Sequence, residues 1–267
     1  MEELIFDTHA HYDDEQFDSD REELLGSILP NAGVCGIINM GADLKGCRDT
    51  IALTERYGYV YGAAGIHPEN ARELPEDWLS QIREMLQREK IVAVGEIGLD
   101  YHWLDECPKE RQQEVFAAQL ELAGELSLPV AVHDREAHAD TLDFLRRYRP
   151  QGVVHCFSGS WETAKELLSL GMYLGLGGVV TFKNARHAVE VAEKIPLSRL
   201  LLETDAPYMA PVPCRGKRND SSLIRHVAEK IGELRGETPE TILRAAEENA
   251  RRLFHIPKNG EIGKERL

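Results

Sequence analysis

Four histidines and two carboxylates, His9, His11, Glu96, His133, His155 and Asp205, are the residues of this sequence whose types and placement suit joint chemistry. Imidazole nitrogen and carboxylate oxygen are the donors that borderline and hard divalent cations take. This set is about what two cations sharing one bridging carboxylate need, and Glu96, from the middle of it, is the best bridge. His9, His11 and Asp205 would then serve one cation, and His133 and His155 the other. Asp7, His9 and His11 alternate, so along an extended strand they share one face. Asp7 and Glu203 each precede a ligand candidate by two residues and are expected deeper, orienting the ligand imidazoles. Singly, each of these residues has an ordinary explanation as a loop cap, an ion-pair partner or a satisfied core histidine. Their joint placement at one end of several strands is what points to metal.

The nucleophile follows from what is missing. The sequence has no Gly-x-Ser-x-Gly elbow, no phosphate-cradling P-loop and no cysteine beside an evident base, and nothing marks Ser158 as reactive. Metal-activated water is the economical nucleophile, with Glu96 and Asp205 as the catalytic carboxylates and Asp205 taking the proton. Softer candidates surround this set. His67, in Gly65-Ile66-His67-Pro68, can contact substrate, and Arg135 can bind an anion. Arg215-Gly216-Lys217-Arg218 is a basic cluster suited to a phosphate clamp, and Lys183 is similar. Tyr101 and Trp103 can stack on a base. Surface ion pairs and ordinary packing are the competing explanations for each of these.

The elements that must position these residues read as a regular alternation. Strand candidates are Leu4–His9, Val34–Met40, Val60–Ile66, Ile91–Ile97, Pro129–His133, Gly152–Cys156, Met172–Gly177 and Leu200–Thr204. Helical patterns between them include Ser80–Glu89, Glu110–Leu126, Thr141–Tyr148, Glu162–Leu170 and Ala185–Lys194. Strands joined by helical crossovers predict an α/β protein, a closed (β/α)8 TIM barrel, whose strand C-terminal ends form one active-site mouth. An open doubly wound sheet is the alternative, weakened by the lack of a Gly-rich dinucleotide fingerprint after the first strand. Ser222–Leu234 and Pro239–Phe254 read as two terminal helices, capped by Ser221 or Ser222 and by Thr238 respectively. The charged, glycine-containing tail from Ile256 to Leu267 is expected to fray. Residues 1–267 show no linker, repeat or low-complexity block and read as a single domain.

Composition narrows the function. A formal net charge of −15 excludes a surface that grips long duplexes by neutralising phosphates, so a phosphate-bearing substrate must be held locally by metals and a few cations. Five cysteines without a Cys-x-x-Cys pair argue against a disulfide framework or thiolate zinc site and fit a reducing cytosol. No basic, apolar leader or membrane-spanning run is present, so a cytoplasmic location without membrane contact is expected.

The motifs, taken together, resemble the TatD family of metal-dependent deoxyribonucleases. The resemblance is carried by Asp7-Thr8-His9-Ala10-His11, Gly65-Ile66-His67-Pro68, Gly95-Glu96-Ile97-Gly98-Leu99-Asp100-Tyr101, Val132-His133-Asp134-Arg135, His155-Cys156-Phe157-Ser158-Gly159 and Leu202-Glu203-Thr204-Asp205-Ala206-Pro207-Tyr208, in the family's order. It implies an amidohydrolase-like barrel, two divalent cations (Mg, Mn or Zn) on His9, His11, Glu96, His133, His155 and Asp205, and hydrolysis of DNA phosphodiesters. Glu96 stands where many related barrels use a modified lysine, which favours this branch. Asn219-Asp220-Ser221 departs from the family's common Asn-Glu-Pro run, which weakens the clamp role of Arg215 and Arg218. The acidic surface fits a single-stranded DNA end better than a duplex interior, hence an exonuclease, with 3′→5′ polarity implied by the resemblance. Rival readings are an amide or ester hydrolase on the same barrel, including hydrolysis of aminoacyl esters on tRNA, and a non-catalytic metal-stabilised binding protein.

Overall fold

In the computed structural model, which describes residues 5–258, eight parallel strands form one sheet in sequence order. They are β1 (Ile5–Ala10), β2 (Val34–Gly41), β3 (Val60–Ala64), β4 (Ile91–Asp100), β5 (Val130–Arg135), β6 (Gly152–Val154), β7 (Tyr173–Leu176) and β8 (Leu200–Leu202). The sheet closes into a barrel through the segment after β8. There, Asp205 N donates to His9 O at 2.9 Å, His11 N donates to Ala206 O at 2.7 Å, and Ala10 bridges Ala206 in parallel. The closed barrel supersedes the open-sheet alternative.

Every strand contributes to an inner apolar layer that includes Phe6, Ile38, Ala63, Ala93, Ala131, Val153, Tyr173 and Leu201. Phe6, Ala131, Val153 and Leu201 precede His9, His133, His155 and Glu203 by two or three residues, so the apolar layer lies beneath the polar mouth. A larger apolar cluster packs the sheet against its surrounding helices. Burial on both faces explains why the strands read as nearly continuous apolar runs.

All eight strand candidates are present, with shifted ends. β4 runs three residues beyond the expected Ile97, because Leu99 and Asp100 pair with Asp134 and Arg135 of a β5 that itself runs two residues beyond His133. Gly98 permits this approach: its φ is +145°, and a Cβ there would meet His133 O at 2.0 Å. β8 is shorter than expected: Glu203 N still donates to Leu176 O of β7, but Thr204 turns to β1, its N–H and hydroxyl donating to Asp7. A helix at Leu44–Arg56, capped by the Asp43 side chain on Gly46 N, joins β2 to β3. Thr238 caps Pro239–Phe254 as the sequence predicts. The preceding cap is not Ser221 or Ser222 but Asp220, whose side chain accepts from Ser222 N and starts a short turn before Ile224–Arg235. Ile256 is buried and its N–H donates to Arg251 O, so the expected fraying does not begin there. The rest of that expectation, residues 259–267, lies outside the described residues. All five cysteines are free.

Candidate metal centre

The strand ends bring His9, His11, Glu96, His133, His155 and Asp205 together around the Glu96 carboxylate. One oxygen, Oε2, lies 3.3 Å from His9 Nε2 and 3.6 Å from His11 Nε2. Asp205 Oδ1 completes this side at 3.5 Å from His11 Nε2 and 3.8 Å from His9 Nε2. The other oxygen, Oε1, lies 2.8 Å from His155 Nε2 and 2.9 Å from His133 Nδ1. His67 Nε2 approaches Oε1 at 3.6 Å, so this histidine joins the cluster itself, although β3 stops three residues before it.

Backbone and side-chain partners aim the imidazoles. His11 Nδ1 donates to Met40 O at 3.1 Å, which leaves Nε2 facing the cluster. His133 Nε2 donates to Asp100 Oδ2 at 2.8 Å and leaves Nδ1 facing Glu96. Asp7 acts on the backbone rather than on an imidazole. Its Oδ1 accepts from His9 N and Thr204 N, and its Oδ2 from the hydroxyls of Thr204 and Ser221. Glu203 accepts from Cys156 N and lies 3.9 Å from His155 Nδ1. Gly175 makes room for that carboxylate, since a Cβ there would meet Glu203 Oε2 at 2.1 Å. Asp205 sits at φ 60°, a left-handed conformation held by its N–H on His9 O and its carbonyl on Tyr208 N.

The electrostatics of the cluster call for positive charge. Burial opposes the charged form of His133 and His11, yet Asp100 and Glu96 hold His133 up at about 10, and Asp205 and Glu96 hold His11 up at about 9. Burial likewise opposes ionised Glu96, but His155, His67 and His9 outweigh it and keep the carboxyl well below its ordinary range. Burial pulls His9 down to about 4, and neither of its ring nitrogens has a hydrogen-bond partner. Buried, unpartnered imidazole nitrogens facing carboxylates fit a divalent cation better than they fit a hydrogen-bonded core. His9, His11 and Glu96 form one group whose donor atoms lie within 4.8 Å of one another, as do His67, Glu96 and His133, and His9, His155 and Glu203.

The cluster floors a cleft of about 560 Å³ that Asp13, Asp14, Glu69, Asn70, Asp100 and Tyr208 also line. Arg135 is the one lysine or arginine among its described lining residues, and its guanidinium lies 5.8 Å from the Trp103 ring. The other candidates for substrate contact lie elsewhere. Tyr101 donates to Asp140 and accepts from Gln113, outside the cleft. Lys183 and Arg215 line a separate groove. Arg218 is given over to Asp20, with paired contacts at 2.8 and 2.5 Å, and to Gln16 O. The sequence reading missed Asp100 as the partner of His133. The signal available was its place in the Gly98-Leu99-Asp100 run directly after the expected strand end at Ile97, a run that continues β4.

Imidazole and carboxylate donors converging at the mouth of a parallel barrel place this protein in the class of metal-dependent hydrolases. The family model described as TatD related DNase matches residues 6–255, and the chain belongs to the TatD family. It is 44% identical to the uncharacterized metal-dependent hydrolase YabD of Bacillus subtilis, over 95% of this chain and 100% of that protein. It is 36% identical to the 3′-5′ ssDNA/RNA exonuclease TatD of Erwinia billingiae, over 95% of this chain and 100% of that one. The crystal structure of YJJV, a TatD homolog from Escherichia coli, superposes with a TM-score of 0.89 at 37% identity, covering 96% of this chain and 100% of that chain. Among the described residues, no helix is long and apolar enough to cross a membrane.

Proposed function

We infer that this hydrolase is a two-metal phosphodiesterase that removes nucleotides from the 3′ ends of single-stranded DNA or RNA. The observation that carries the reading is the division of labour on Glu96: Oε2 faces His9, His11 and Asp205, while Oε1 faces His133, His155 and His67. One carboxylate addressing two separate donor groups would suit a pair of cations, one held by His9, His11 and Asp205 and the other by His133 and His155. Divalent cations held there would acidify water and neutralise charge on a phosphoryl oxygen. Asp205, kept anionic by His11 and His9 against the opposing effect of burial, is one-fifth exposed at the mouth and takes the proton from the attacking water. Asp100 holds the His133 ring and Asp7 the His9 and Thr204 backbone, so the donors need little rearrangement during turnover.

The name borne by the Erwinia relative supports the 3′ polarity and the single-stranded substrate. The mouth supports end recognition too, because a cleft walled by Asp13, Asp14 and Glu69 disfavours the continuous phosphate backbone of a duplex. The test compares linear single-stranded DNA, the same strand closed into a circle, and a linear strand blocked at its 3′ end, each with added Mg, Mn or Zn. Stepwise loss from the free 3′ end of the linear strand alone is expected. Equal degradation of circle and line would overturn end-directed action.

A second reading has its own observation. The same acidic wall complements a substrate bearing an ammonium group near the scissile bond, as in an aminoacyl ester on tRNA. An ester panel run beside the DNA substrates decides between them.

A further inference from the structure

We propose that the single strand leaves the metal cleft over Tyr208 and continues along a cationic, aromatic track built by the loop after β8 and the segment after β7. The proposal rests on the nucleic-acid reading above and extends that site. Three cavities share walls in series. Tyr208 lines both the metal cleft and a neighbouring cavity of about 320 Å³. Phe182 and Arg215 line that second cavity and also a third, of about 470 Å³, that contains Lys183 and Val212. Together they lead from the bridging carboxylate to the outer face of the 182–185 segment.

The chemistry along this route changes as a phosphate strand would require. The metal cleft is acidic, but the next two cavities carry Arg215, Lys217 and Lys183, all exposed, and no carboxylate appears among their described lining residues. Among the described residues, none of these three side chains forms an ion pair, in a protein of net charge −15. Arg215 instead lies 3.8 Å from the centroid of Phe182, a stacked pair that offers a flat, cationic surface to a base. Tyr208, 50% exposed, and Val212, 46% exposed, supply further apolar contact. Arg218, by contrast, binds Asp20 and anchors the loop rather than the strand. The opposite exit, past Arg135 and Trp103, is flanked by exposed Asp105, Glu106 and Glu136 and is electrostatically the poorer path.

The test uses oligothymidylates of two, four, eight and sixteen nucleotides with the wild type, Arg215→Ala/Lys217→Ala, Phe182→Ala and Trp103→Ala. The double variant and Phe182→Ala are expected to raise KM by about ten-fold or more on the sixteen-mer. The loss should shrink towards the dinucleotide, whose reach ends near Tyr208, and kcat should change little. Fluorescence polarisation of a labelled sixteen-mer in chelator, which needs no turnover, should show the same weakening. The logarithmic salt dependence should fall by about 0.7 per cation removed. A loss independent of length, or length dependence abolished by Trp103→Ala instead, overturns the track. If the wild type binds the oligomer through Arg215 and Lys217 yet cleaves none of the substrates, the nuclease reading fails while the track stands.

Discussion

Glu96→Ala deletes the carboxylate that both halves of the cluster address. Bound metal and nucleolytic turnover should therefore fall together, the latter by more than about 100-fold. Asp100→Asn tests the orienting partner: it keeps the size of the side chain but weakens its hold on His133 Nε2, and a loss of about 10–100-fold in metal affinity or rate is expected. Metal analysis of the purified variants, beside cleavage assays, checks both. Undiminished metal content in Glu96→Ala would contradict the bridging role. At this scale the sequence was informative about the donors, because histidine and carboxylate at strand ends carry their chemistry openly. It offered Asp7 and Glu203 to orient the rings and missed the partners that hold His11 and His133, Met40 O and Asp100. Met40 serves His11 through a backbone carbonyl, which any residue there would present, and Asp7 turned out to grip N–H groups rather than imidazoles.

Among the elements, the turn after β8 carries more than its sequence suggests. Ser221 stands where the family commonly has proline, and here its N–H donates to Tyr12 Oη at 2.9 Å while its hydroxyl donates to Asp7 Oδ2 at 2.7 Å. A proline could make neither bond. Ser221→Pro should therefore destabilise the fold by about 1–3 kcal/mol for each buried group left without its partner. A denaturant midpoint unchanged within error would show that the turn relaxes freely. Asn219, fully buried, ties the same turn to Thr204 O and Tyr208 O, the residues that flank Asp205. The alternation of strands and helices was legible because both faces of each strand are buried and apolar. The ends were not: β4 and β5 extend through Gly98 and Asp134 by pairing with each other, and pairing partners are invisible in one strand's own sequence. The helix Leu44–Arg56 contains the poor helix formers Gly46, Thr50 and Thr54, and is set by the Asp43 cap and by packing.

For the whole molecule, metal and proton compete for one set of donors. Histidines 11 and 133 are raised to about 9 and about 10 without metal, above the ordinary 6.5. A raised histidine stabilises the fold fully below 6.5 and loses that contribution as pH climbs through the raised value. Cations need the deprotonated rings, so their stabilisation grows over the same interval. Chelator should thus lower the thermal midpoint, and the gap between chelated and metal-loaded protein should widen from pH 6.5 to pH 9. A gap that stays constant or narrows would count against histidine ligation. The barrel's seam has a further consequence for biosynthesis. His9 and His11 leave the ribosome first, yet Asp205 and the backbone that pins β1 follow nearly two hundred residues later. A nascent chain that has not reached Ala206 has no complete hydrolytic centre and no closed sheet.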